Sequence, residues 1–273
     1  MGPPPRRAAV WLVTVLFAGG TLTAMGASVL WVRDAVNNAY FLRSTGPIQK
    51  ARAGLQENVD RQVRDLNAVA DGVSTDGEFG PEAFQHRAAR ALGDSAPMRA
   101  LDFVDRSGRV LWTFPFSPER RERGLTGARS AAADRAGREQ RTTASGLIDL
   151  WDGRVGVALY APVFRGSLWT GLVEGTLEVL RVAAGGAPGL GERFDVTFID
   201  ETQGREYRPV ESPGPASPAY DHYFPLNLAD RTWWVILHPL RPPPALAIVV
   251  GALFLEALLG GVVVYLWLRR NTA

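Results

Sequence analysis

Two long apolar runs, one at each end, constrain this chain more than any other feature. Residues 8–32 carry no charged side chain, and residues 245–268 carry only Glu256. A helix needs about 20 apolar residues to cross the hydrocarbon core of a bilayer, so each run predicts a membrane span. Arg6 and Arg7 precede the first run, and Arg269 and Arg270 follow the second. Positive charge close to a span end marks the cytoplasmic side. The pattern predicts a cytoplasmic N-terminus (1–7), a span (8–32), a large extracytoplasmic segment (33–244), a second span (245–268) and a cytoplasmic tail (269–273). A cleaved signal peptide is the rival account of the first run, because Ala24 to Ala27 offers a small-residue cleavage site. The length of the run, continuing through Val29, Leu30, Trp31 and Val32, favours an uncleaved anchor.

Small residues recur at four-residue spacing on both runs: Gly20 with Ala24, and Ala257 with Gly261. That spacing lets helices approach closely, so these positions are expected at a helix interface, although a Gly- and Ala-rich chain also produces them by chance. A carboxyl at mid-span is costly unless neutral or paired, which places Glu256 at the same expected interface.

The interior of the chain is less apolar. A formal net charge of +2 gives no argument for nucleic acid. The absence of cysteine excludes disulfides, thiolate metal sites and cysteine nucleophiles. His86, His222 and His238 fall in separate segments without metal-ligand spacing. There is no G-x-S-x-G, no P-loop and no Gly-rich fingerprint after a strand. No enzyme, metal or cofactor is expected.

Ile48, Leu55, Val59, Val63, Leu66, Ala70 and Val73 recur at intervals of three, four or seven, the period of an amphipathic helix. This helical stalk (33–97) either packs its stripe on its own domain or forms a dimer stalk, with a kink or restart at Gly46-Pro47. A second helix is predicted over 81–92, with Pro81 in its first turn. Alternating runs then predict a main sheet (98–183): strands at 100–104, 109–114, 147–151, 155–160 and 168–177. Ala161-Pro162 is expected to end the fourth of these. The charge run 119–123 reads as a solvated loop and the Ala-rich stretch 126–138 as a helix. A smaller set of strands (192–240) follows, at 194–200, 206–210, 222–226 and 232–237, and a proline-rich collar at 239–244 leads to the second span. Strands joined by hairpin turns predict an α+β fold with antiparallel sheets.

Several stretches resemble a known family. They are LDFVDRSGRVLWTFP (101–115), GLT (124–126), GLIDLWDG (146–153), YAPVFRG (160–166), WTGLVEG (169–175) and RTWWVILHP (231–239). In this order, and bracketed by two spans, they resemble the CHASE and Cache-like extracytoplasmic sensors, over about residues 49–240. The resemblance implies a PAS-like antiparallel sheet behind a long N-terminal helix, with a ligand pocket closed by residues 116–138. It also implies an unknown small ligand, a homodimer, or signalling to a separate histidine kinase or cyclic-nucleotide protein. Residues 269–273 hold no output domain, so the expectation is a stand-alone receptor subunit, a membrane adaptor or the front of a longer protein. Apolar pockets with a few placed polar groups bind small molecules. Trp112, Phe114, Trp151 and Tyr160 are the expected walls, and Arg120, Arg129, Asp149 and Glu174 the groups that would orient a ligand. Asp102, Asp105 and Asp152 read as strand and turn residues. The alternative function is an envelope adaptor or scaffold that docks another protein and takes no small ligand.

Overall fold

The computed structural model describes residues 6–75, 80–93, 97–208, 220–240 and 245–272. The chain divides into two compact units, one of residues 1–47 with 242–273 and one of residues 48–241. The first unit contains the N-terminal part of α1 (Arg6–Thr75) and all of α6 (Ala245–Thr272). Among the described residues no helix is long and apolar enough to cross a membrane. The spans expected at 8–32 and 245–268 fall in part on side chains outside the described residues. The expected break at Gly46-Pro47 is absent, and α1 runs through Pro47 without interruption. The proline removes one ladder hydrogen bond but does not end the helix.

The second unit is built on the rest of α1. Ile48, Ala51, Leu55, Val59, Leu66, Val69, Ala70 and Val73 are all buried in the main core, so the stripe packs on its own domain. Two polar residues share that face: Asn58 donates to the Val182 carbonyl at 3.0 Å, and Gln62 is also buried. Helix α2 (Pro81–Ala91) adds Phe84 and Ala88 to the same core. At the end of the stripe Gly54 meets Gly186 of α5 (Val179–Gly186), with so little space that a Cβ on Gly54 would lie 2.1 Å from the Gly186 carbonyl oxygen.

The larger sheet is antiparallel throughout, in the order β2-β1-β6-β5-β3, with β4 also on β5. Its strands are β1 (Met98–Asp105), β2 (Val110–Phe114), β3 (Thr143–Ala144), β4 (Ile148–Asp149), β5 (Val155–Arg165) and β6 (Leu168–Glu178). Strand β5 does not stop at Pro162. It continues to Arg165, because its outer partner β3 pairs only as far as Tyr160 and a proline beyond that point interrupts no outer ladder. The second sheet runs β8-β7-β10-β9, from β7 (Phe194–Asp200), β8 (Arg205–Tyr207), β9 (His222–Leu228) and β10 (Arg231–Pro239). One face of each sheet enters the core that α1 heads.

The other face of the larger sheet is roofed by two short helices, α3 (Pro118–Arg123) and α4 (Ala128–Glu139). The charge run expected as a solvated loop is therefore helical. Ser117 caps it by accepting the Arg120 amide, and Arg120 is buried. Gly124 and Gly127 lie at φ +60° and +56°, values L-residues rarely adopt, and between them the chain turns from α3 into α4. Under this roof a second core forms from Val104, Val110, Ala132, Ala133, Ala136, Ala158, Tyr160 and Leu172.

Candidate functional site

Strand alternation places every second side chain on one face. On the roofed face the register lines up one residue from each of five strands: Thr113 (β2), Asp102 (β1), Glu174 (β6), Tyr160 (β5) and Thr143 (β3). All five are buried. The row thus holds two carboxyls and a phenol at the middle of the sheet, flanked by two threonines.

The roof supplies two guanidiniums to this row. Arg120 of α3 places Nη1 3.2 Å from Asp102 Oδ1 and donates from Nη2 to the Pro115 carbonyl. Arg129 of α4 pairs with Glu174 Oε1 and lies against the Tyr160 hydroxyl. Trp151 lies across the Arg120 guanidinium at 5.1 Å, a cation–π arrangement. Burial, and then the Glu174 charge, pushes the Asp102 carboxyl up to about 7 against the pull of Arg120 and Arg129. Burial followed by Glu174 also holds the Tyr160 phenol well above its ordinary range, so it is a neutral hydroxyl. Burial draws Arg129 down, but Glu174 and Tyr160 outweigh it and keep the guanidinium charged.

Not every polar atom here is satisfied. Glu174 Oε2, Arg129 Nε and Thr176 Oγ1 are buried without a hydrogen-bond partner among the described residues. Buried polar groups are nearly always paired. The cluster therefore offers acceptors and donors of opposite charge within one buried site. Carboxylates suit an ammonium group and guanidiniums suit a carboxylate.

Five of the residues expected to bind a ligand meet here: Arg120, Arg129, Trp151, Tyr160 and Glu174. Three do not. Trp112 and Phe114 lie on the opposite face of the sheet, in the core headed by α1. There Trp112 stacks on Phe103 at 4.8 Å and tilts against Phe84 at 5.9 Å. In β2 it is Thr113, not these two, that points to the row. Asp149 is exposed and pairs at 2.6 Å with Arg205 of β8, away from the row. Asp102, read from sequence as an ordinary strand residue, is instead central. Its signal was a charge flanked by Leu101 and Phe103, on the face those two do not use.

The other expected positions lie elsewhere. Gly20, Ala257 and Gly261 are exposed, and nothing lies within 4 Å of a Cβ on Gly20 or Gly261. Glu256 is half-buried, with Oε2 lacking a partner among the described residues. The side chain of Ala24 lies outside the described residues. Asp105 accepts from the amides of Ser107 and Arg109 and shapes the β1–β2 turn. In the second sheet His238 contacts Asp221 at 2.9 Å and Thr197 at 3.1 Å.

The fold is shared with solved ligand-binding domains of receptors. An extracellular ligand-binding receptor from Desulfohalobium retbaense DSM5692 superposes with a TM-score of 0.53 at 15% identity, over 70% of this chain and 39% of its own. The ligand-binding domain of the Pseudomonas fluorescens chemoreceptor CtaA, in complex with L-serine, gives 0.52 at 13% identity, over 76% of this chain and 97% of its own. The ligand-binding domain of the Pseudomonas aeruginosa PAO1 amino acid chemoreceptor PctB, in complex with L-Arg, gives 0.51 at 12% identity, over 69% and 90%. The chain thus spans well under half the length of the Desulfohalobium receptor but nearly all of the two Pseudomonas domains. No family model matches the sequence, and no curated protein matches it.

Proposed function

We propose that this protein is a membrane-anchored extracytoplasmic sensor whose larger sheet binds a small zwitterion of the α-amino acid class. The observation that carries the reading is the buried row Asp102–Glu174–Tyr160 under Arg120 and Arg129, with polar atoms left unpaired. Two carboxyls and two guanidiniums present both signs of charge to a ligand that itself carries both. The solved sensor domains of like fold support it, since those of CtaA and PctB hold L-serine and L-Arg. The apolar runs at 8–32 and 245–268, with arginine pairs at their outer ends, support two spans and an extracytoplasmic middle. In this reading the signal passes through the spans to a separate partner, a histidine kinase or a cyclic-nucleotide signalling protein, with the chain acting as a homodimer.

One observation favours the adaptor reading instead. Arg120 already pairs with Asp102 and Arg129 with Glu174, so the charges can satisfy one another with no ligand.

Thermal unfolding of the intact chain in lipid nanodiscs, against a panel of L-amino acids, separates the two. A ligand at a hundred times its dissociation constant adds about 2.7 kcal/mol to the folded state. The sensor reading expects a rise in melting temperature with at least one amino acid, lost in Asp102→Ala and Arg129→Gln. No rise across the whole panel would sink it and leave the adaptor.

A further inference from the structure

The roof over the charged row is fastened at its far end to the second sheet. Arg129 and Arg135 both stand on α4, six residues or about 9 Å apart along the helix axis. Arg135 Nε donates to Asp230 Oδ2 at 3.0 Å, and its Nη2 donates to the Ala144 carbonyl at 2.9 Å. Asp230 lies in the turn between β9 and β10, and its Oδ1 accepts the Ala144 amide at 2.7 Å. The next residue, Arg231, donates from Nε to the same Ala144 carbonyl at 2.9 Å and from Nη1 to both oxygens of Asp200, each at 3.1 Å. Ala144 adjoins Thr143, the last residue of the charged row. Ala144 of β3 is thus gripped on its N–H by a carboxylate and on its C=O by two guanidiniums from different elements.

Two features set this junction apart from ordinary surface pairing. The side chains of Asp200, Asp230 and Arg231 are all buried, 0%, 7% and 8% exposed. Buried ion pairs add little net stability over apolar packing, and register or switch control is their best-attested use. Independently, Ala229 in the same turn adopts φ 52°. A left-handed alanine costs about 1–2 kcal/mol, and strain of this kind persists where the surroundings over-determine it. Here it sets Asp230 and Arg231 side by side against Ala144.

We infer that the β9–β10 turn is the coupling element of this protein: Asp230 and Arg231 tie α4 and β3 to the second sheet, so the charged row and the second sheet share one conformational equilibrium. The inference rests on the reading of the row as the sensing site. A ligand carboxylate that takes Arg129 from Glu174 displaces α4, and Arg135 moves with it because the helix is stiff over two turns. Asp230 follows, and the bidentate Arg231–Asp200 pair carries the shift into β10 and β7. Coupling of this kind needs a physical link, not mere proximity, and the hydrogen bonds that Asp230, Arg231 and Arg135 make to Ala144 supply one.

Hydrogen exchange of the full chain in nanodiscs tests it without any ligand. Arg129→Gln disturbs the row from the α4 side, and Glu174→Gln cuts the same pair from the strand side. Each is measured alone and in an Asp230→Asn background, with Arg135→Gln as a second way to cut the tie. The expected result is that either row variant changes exchange in β10 by about fivefold or more, the lower end of ordinary coupling. In the Asp230→Asn or Arg135→Gln background the row variants should change β10 no further. If β10 responds equally with the tie cut, or does not respond while α4 does, the inference is overturned. A failed amino acid screen would remove the ligand reading and leave this pattern standing, so the two proposals fail separately.

Discussion

Asp102 and Glu174 stand opposite one another on β1 and β6, two buried carboxyls on adjacent strands, and each meets one guanidinium from the roof. Like charges directly across a ladder destabilise a sheet. Tolerating them requires the two arginines, and the arginines are in turn held by the glycine-flanked turn between α3 and α4. The site and its roof are therefore one electrostatic unit, and the first three expectations below come from taking it apart.

Acidity should stabilise this unit. The Asp102 carboxyl sits at about 7 in the folded protein and near 3.9 when unfolded. Between these values the folded state holds a proton that the unfolded state has lost, so Asp102 contributes stability that declines as pH rises through this window. Denaturant unfolding in micelles at pH 5 and pH 7.5 should show the native chain losing on the order of 2 kcal/mol relative to Asp102→Asn over that interval. Parallel pH profiles for the two proteins would refute it.

Removing one charge should cost more than removing two. Arg129→Met leaves the Glu174 carboxyl, fully buried, without its cation. Loss of one partner from a buried pair costs about 3–5 kcal/mol, whereas apolar replacement of both is often near neutral. The double variant Arg129→Met/Glu174→Met should therefore be more stable than Arg129→Met. Additive losses in a double-mutant cycle would show that the pair is not a buried unit.

The roof turn should resist side chains. Gly127 at φ +56° opens α4, and an alanine there faces the left-handed penalty of about 1–2 kcal/mol. Gly127→Ala should lower the melting temperature and, by misplacing Arg129, weaken binding of whichever amino acid scores in the screen. Gly191→Ala is the control, since nothing lies within 4 Å of a Cβ on Gly191 and its φ is not positive, and should change neither.

What the sequence disclosed and what it concealed follow from the range of the signals. The α1 stripe was legible because Leu55, Val59, Leu66 and Val73 repeat within one element, and period alone names their face. Most strands of both sheets were legible from alternation and turn residues, but β3, only two residues long, shows no alternation and was missed. The burial of Arg120 was not legible: within 119–123 it looks like its neighbours in a charge run, and only Asp102, distant in sequence, explains it. Alternation shows which residues of β2 share a face but not which face meets α1, so Trp112 and Phe114 were assigned to the roofed side. The Asp230–Ala144 grip joins a turn to a strand 86 residues away, and no local pattern announces it.

Close approach of α1 to α5 should be intolerant of even one methyl. A Cβ on Gly54 would fall 2.1 Å from the Gly186 carbonyl oxygen, which is backbone and cannot swing aside. Overpacking a fitted contact costs about 1–3 kcal/mol, and here the helices must separate. Gly54→Ala should lower the unfolding free energy by at least that amount. A variant with native stability would mean the two helices are not held in contact.

The two faces of the larger sheet should separate stability from binding. Trp112 stacks between Phe103 and Phe84 on the α1 side, so Trp112→Leu removes aromatic packing worth about 1 kcal/mol beyond its area and touches nothing in the row. Tyr160 is buried on the roofed side with its hydroxyl against Arg129, so Tyr160→Phe keeps the ring in the core and deletes one polar group from the site. A site built to hydrogen-bond its ligand loses discrimination steeply when such a group goes. Tyr160→Phe is thus expected to weaken amino acid binding tenfold or more, about 1.4 kcal/mol, with little change in melting temperature. Trp112→Leu is expected to lower the melting temperature and leave affinity unchanged. Calorimetric titration beside thermal unfolding of both variants reads the two quantities independently. If the pattern is reversed, the ligand enters from the α1 face and the charged row is structural.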